Sequence, residues 1–178
     1  TCTYRRTLCP SAKPSMKPIV TILFILISIN SVCQITDNNI RLNVLESGIT
    51  DSLFVFGKWS CDGQTQTELK YLGQVTTDSG KVYKILNSSW IWGLSRRATN
   101  RILIYNFNNE YVGNYSLNTI SDLPDRIENE CLVFTNKSKE DCDKSVTTKI
   151  DFRKGYPKEI FIKCTVTEGS IFMFSSDQ

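Results

Sequence analysis

The side chains that could carry proton or nucleophile chemistry are unevenly stocked in this chain. There is no histidine, so Ser-His-Asp and Cys-His nucleophiles, imidazole general bases and imidazole metal ligands are all excluded together. Acid–base work would fall to carboxylates, which are densest as Asp122, Asp125, Glu128 and Glu130 in SDLPDRIENE. A pair of carboxylates can hydrolyse a glycoside, one as acid and the other as base or nucleophile. The competing reading, which the residue types favour, is a solvated acidic connection, because Asp is a turn former. Glu140-Asp141-Cys142-Asp143 lacks the spaced oxygen ligands and central glycine of a calcium loop. It reads as a charged hairpin tip, and no cofactor or metal is implied.

A binding surface is the other chemistry on offer. In SSWIWGLSRRATNR, residues 88–101, Trp90 and Trp92 are two positions apart and share one face of a strand. Neighbouring indoles can stack a sugar ring or an apolar ligand, with Arg96, Arg97 or Arg101 pairing an anion. Trp59 is the third indole that could stand at such a site. The alternative, which the sequence favours, buries the tryptophans in the core, lays the arginines over them or in solvent, and makes the stretch a bend between strands. The expected partners are a small apolar or sugar ligand or an envelope protein, with no nucleic acid.

These residues need a compartment and a scaffold. Met16-Lys17, the apolar run Ile19–Ile29 and the small-residue exit Ser31-Val32-Cys33 form a signal peptide over 16–33. The run is shorter than the roughly 20 apolar residues of a membrane span. Residues 1–15 precede the start methionine and read as an over-extended frame. Location is expected to be secreted, periplasmic or in the cell envelope. Removing 1–33 takes Arg5, Arg6, Lys13 and Lys17 from the 21 Lys+Arg, leaving 17 against 18 Asp+Glu, or −1. A nucleic-acid footprint needs a basic domain, and this is not one.

Cleavage also reduces the seven cysteines to Cys61, Cys131, Cys142 and Cys164. An even number in an exported chain suggests two disulfides, and zinc is disfavoured by the lack of histidine and of any Cys-x-x-Cys pair. Strands near 147–153 and 157–165, turning at Lys154-Gly155-Tyr156-Pro157, would return Cys164 to Cys142. The predicted pairs are Cys142–Cys164 and, by elimination, Cys61–Cys131.

The scaffold is β-rich, with Tyr, Phe, Val, Ile and Thr recurring and turn signals spaced roughly 8–12 residues apart. Residues 34–50 keep neither helical nor strand period, and 51–178 form the β domain. Strands are expected at Leu53–Cys61, Glu68–Thr76, Lys81–Trp92, Arg101–Phe107, Tyr111–Leu117, Ile127–Thr135, Val146–Arg153, Lys158–Thr165 and Ser170–Phe174. Thr77-Asp78-Ser79-Gly80 and Asn108-Asn109 carry turn chemistry. Ile102-Leu103-Ile104-Tyr105 is apolar on both faces and must be central or meet a second layer. The fold class is mainly β: a single antiparallel up-and-down sheet of about 8–9 strands closing into a barrel or sandwich, preceded by a signal-peptide helix. The sequons at Asn87, Asn114 and Asn136 matter only in a eukaryotic secretory pathway.

KVYKILNSSWIWGLSRRATNRILIYNFNNEYVGNYSL, residues 81–117, resembles small exported bacterial proteins of unknown function, as does the SVCQ cleavage context; this resemblance implies an envelope location. Gly57-Lys58-Trp59 resembles the Gly-x-Trp opening of lipocalin-like barrels, which implies an up-and-down barrel around an apolar ligand. WSCDG is similar to the first strand of small lysozyme-inhibitor barrels, implying an enzyme-inhibiting partner. The expected function is a non-catalytic binding or envelope-associated module. The alternatives are a carboxylate-dependent hydrolase using Asp122, Asp125 or Glu128, or a protein-inhibitor or adhesion module.

Overall fold

A computed structural model describes residues 37–176. The expected leader over 16–33, the upstream 1–15 and residues 34–36 lie outside the described residues. The segment with no legible period opens as a helix, α1 (Asp37–Ser47). Its apolar residues Ile40, Val44 and Leu45 are buried, while Arg41 pairs Asp37 one turn earlier. Gly48 ends it at φ +64, the left-handed position that favours glycine. Three buried residues make too narrow a stripe for the 3.6-residue period to show in so short a window.

Ten strands follow: β1 (Leu53–Gly57), β2 (Gln66–Thr76), β3 (Val82–Trp92), β4 (Arg97–Asn106), β5 (Tyr111–Leu117), β6 (Arg126–Glu128), β7 (Cys131–Thr135), β8 (Thr147–Asp151), β9 (Glu159–Lys163) and β10 (Gly169–Ser175). They form a seven-stranded antiparallel sheet, β1-β2-β3-β4-β5-β10-β9, and a three-stranded one, β6-β7-β8. Among the described residues no closed barrel forms. β1 to β5 are the expected up-and-down run, but the two sheets meet through single bonds instead of continuous ladders. At one seam Thr148 Oγ1 accepts from Lys163 N at 2.9 Å. Across another, Asp78 N donates to Arg153 O at 2.8 Å.

The large sheet is apolar on both faces. Ile85, Ile102, Ile104 and Tyr115 pack with Leu132 and Phe134 of β7 and with Phe152, forming the core between the sheets. Leu69, Tyr71, Leu86, Leu103 and Tyr105 face the other way and cluster with Ile40, Val44 and Leu45 of α1. The run Ile102–Tyr105 therefore meets two different layers, as its unbroken apolarity requires. Burying each such side chain contributes about 1.5–3 kcal/mol, so α1 is held mainly by packing.

Three expectations are corrected. Residues 147–153 and 157–165 do not pair as a hairpin: β8 belongs to the small sheet and β9 to the large one. The chain changes layers between them, with Phe152 fully buried just before the crossing. The expected strand Ile127–Thr135 is split into β6 and β7 by Asn129 and Glu130, both left-handed at φ 51 and 58. Positive φ at both central residues is the mark of a type I′ hairpin turn, and the Glu130 carboxylate accepts a hydrogen bond from Thr76 N. Of the two expected disulfides, Cys142–Cys164 forms, but Cys61 and Cys131 are free thiols. β1 stops at Gly57, so Cys61 lies in an exposed turn and not on the strand face shared with Val55, while Cys131 opens β7 in the other sheet.

Candidate functional site: an indole and guanidinium strip

The β3–β4 hairpin builds the site. Gly93 at φ +70 and Arg96 at φ +54 turn the chain, closed by Arg96 N donating to Gly93 O at 3.2 Å. The register then sets Trp92 opposite Arg97, Trp90 opposite Thr99 and Ser88 opposite Arg101. Side chains alternate across a strand, so these six share the face that carries Leu86 and Leu103. That is the α1 face, and the cluster formed with α1 takes in Leu86, Leu103 and, one row nearer the turn, Leu69 opposite Ser88. Beyond that row neither Trp90 nor Trp92 belongs to the cluster, and Trp90 is exposed.

Here the expectation of core tryptophans is corrected. Trp90 is 43% exposed, and Trp59 and Trp92 are half-buried. Trp90 and Trp92 stack with centroids 5.6 Å apart and planes 24° from parallel. Arg97 lies 5.9 Å from the centre of the Trp92 ring. Trp59, beyond the end of β1, donates from Nε1 to Gly93 O at 2.9 Å and carries Arg96 5.6 Å over its ring. Trp92 Nε1 donates to Thr99 Oγ1 at 3.1 Å. Trp90, Trp92, Arg97 and Arg101 thus share one sheet face, while Trp59 and Arg96 meet at the β3–β4 turn that ends it. Gly93 and Thr99 complete the site as hydrogen-bond acceptors; only the β3–β4 register points to them.

Electrostatics distinguish this strip. The described residues include six arginines. Arg41, Arg126 and Arg153 each form an ion pair with a carboxylate. Arg96, Arg97 and Arg101 have none among the described residues. Two of them lie over indoles instead, and the Nε of Arg101 is buried without a hydrogen-bond partner. An arginine over an aromatic face keeps its charge and its fork of donors available for an incoming anion.

The carboxylate cluster is spent on structure. Asp122 pairs Lys139 at 2.7 Å and accepts from Thr119 N at 2.9 Å. Asp125 accepts from Thr135 N at 2.8 Å. Glu128 sits between Lys149 and Arg126, whose charges and hydrogen bonds hold its carboxyl below the usual range. Among the described residues no three Cys, Asp or Glu side chains gather in a metal-holding group, and no helix is long and apolar enough to cross a membrane. A cleft of about 180 Å³ runs between Leu53, Lys70, Asn87 and Leu123, and a shallower one of about 500 Å³ between Tyr83 and Phe107. Neither is lined by a tryptophan. The three sequon asparagines are all buried: Asn87 donates to Pro124 O at 2.8 Å, Asn114 to Tyr111 Oη at 2.6 Å, and Asn136 to three backbone carbonyls.

The class these features define is a helix-backed, two-sheet antiparallel β domain with an aromatic and cationic surface strip. No protein-family model, curated protein or solved structure matches the chain.

Proposed function

We propose that this protein is an exported, non-catalytic binding module of the cell envelope or secreted space, and that the strip of Trp59, Trp90, Trp92, Arg96, Arg97 and Arg101 is its recognition surface. One observation carries the reading: among the described residues, the three arginines without a carboxylate partner are the three on the β3–β4 hairpin, and two of them lie over indoles. Stability alone gives no reason to concentrate uncompensated charge there, whereas an anionic ligand with an apolar ring face would use both components. The Cys142–Cys164 disulfide supports an oxidising compartment.

The test is native mass spectrometry on protein purified from its own source. The expected result is a co-purified small molecule or partner that R96Q/R97Q/R101Q protein no longer retains. Identical retention by the folded triple variant, or an empty wild-type protein, would sink the proposal.

A further inference from the structure

Resting on that reading of the strip, we infer that its ligand is a carboxylated saccharide chain. Three guanidiniums lacking internal counter-ions call for an anion, and the planar fork of arginine matches a carboxylate in a bidentate pair. Arg101 is only half-buried, so its charge is within reach of a ligand at the surface.

Spacing then argues for a chain. Arg97 and Arg101 share a face of β4 four residues apart, about 13 Å at the rise of a strand. A ligand that meets each guanidinium over its own strand position must therefore repeat its charge. Between the two, on the same face, stand Thr99 and across from it Trp90, the most exposed indole. The surface therefore reads guanidinium, indole, guanidinium along the strand. A chain of pyranose acids presents the complementary series of carboxylate, C–H ring face, carboxylate.

Two other anionic partners fit less well. A nucleic-acid strand carries a phosphate at every residue and is bound through a broad basic surface. Here residues 34–178 hold 17 Lys+Arg against 18 Asp+Glu (21 less Arg5, Arg6, Lys13 and Lys17). An anionic bilayer would be met first by the hairpin tip, where Leu94 is 74% exposed. Trp90 and Arg101 lie back along the sheet face, two and three rows from the turn.

The experiment titrates the oxidised protein with polygalacturonate and alginate, with neutral galactan, with single-stranded poly-dT and with phosphatidylglycerol vesicles, following tryptophan emission and calorimetry. The acidic polysaccharides should bind with a shift in emission and lose affinity as salt is raised. R97Q/R101Q and, separately, W90A should each weaken them at least about tenfold, while L94A and R126Q change nothing. Equal binding of galactan overturns the ligand class. So does preferential binding of DNA or vesicles that depends on the same arginines; in either case the strip remains a binding surface. If no probe binds, or binding ignores every strip substitution in folded protein, the ligand class and the strip reading fall together.

Discussion

The indole of Trp59 donates its Nε1 hydrogen to the carbonyl oxygen of Gly93, a bond 2.9 Å long across 34 positions of sequence. It fastens the segment after β1 to the β3–β4 turn and sets Trp59 beneath Arg96. Trp59→Phe keeps an aromatic ring but removes the donor. The expected cost is about 1 kcal/mol, a fall in Tm of about 2–4 °C. A thermal melt matching wild type would show that the bond contributes nothing.

The disulfide closes a loop of 22 residues, Cys142 to Cys164. Cys142→Ser/Cys164→Ser should lower unfolding free energy by about 3 kcal/mol, read as a reduced midpoint in urea. In oxidised wild-type protein, alkylation before proteolysis should label Cys61 quickly and Cys131 slowly, because the first is exposed and the second half-buried. Recovery of a Cys61–Cys131 linked peptide would contradict the free thiols.

Asn136 places one amide nitrogen 3.0, 3.2 and 3.1 Å from the carbonyls of Asp143, Lys163 and Cys164, joining the β7–β8 loop to the end of β9. Asn136→Ala should cost about 1–3 kcal/mol. Asn136→Asp should cost more, since an acceptor would then face three acceptors. Because Asn87, Asn114 and Asn136 are all buried, folded protein passed through a eukaryotic secretory host should carry no glycan at them, checked by intact mass. An Asn136→Asp protein as stable as wild type would refute the bonding scheme.

Where β5 meets β10 the backbones approach closely. A Cβ at Gly113 would lie 2.2 Å from Phe174 Cζ and 2.5 Å from Ser175 O. Gly113→Ala should therefore push β10 from its register with Tyr115 and Asn114, costing about 1–3 kcal/mol as overpacking. Faster amide exchange confined to β9 and β10 is the expected signature, and an unchanged exchange pattern the refuting one.

Stability should be flat across neutral pH, since no histidine titrates there, and should fall at both extremes. Burial pushes the Tyr105 hydroxyl up to about 12 from 10.0, partly offset by the charge of Arg41. A raised folded value means the contribution is whole below pH 10 and is lost between 10 and about 12. Burial also raises Tyr71, Tyr83 and Tyr115. On the acid side, hydrogen bonds from Arg153 lower Asp151 to about 2 from 3.8, so its contribution is present above 3.8 and lost as pH falls to about 2. Denaturant midpoints measured across pH would settle this; a stability step near pH 6.5 would contradict it.

Much of the strand pattern is legible from local chemistry. Tyr111–Leu117 matches β5 at both ends, and Gly80 and Asn109 take the positive φ their turns require. The tandem Asn129-Glu130 turn was hidden because Glu rarely takes a left-handed conformation; its carboxylate is tied to Thr76, 54 positions away. The pairing of Cys142 with Cys164 was reached through a hairpin that does not exist: β8 and β9 are neighbours across a seam, and the seam brings the two sulfurs together.

What the chain determines by itself is whatever alternation and turn chemistry report: where strands run, which positions share a face, that a two-faced segment must be central, and that imidazole chemistry is absent. Whether a face is covered is a different kind of fact. Trp90 and Leu86 share one side of β3, yet α1 covers only Leu86, because covering depends on a helix more than 40 positions upstream in the chain. The same long-range packing divided the strands between two sheets, left two thiols unpaired, and turned the indoles from core into surface.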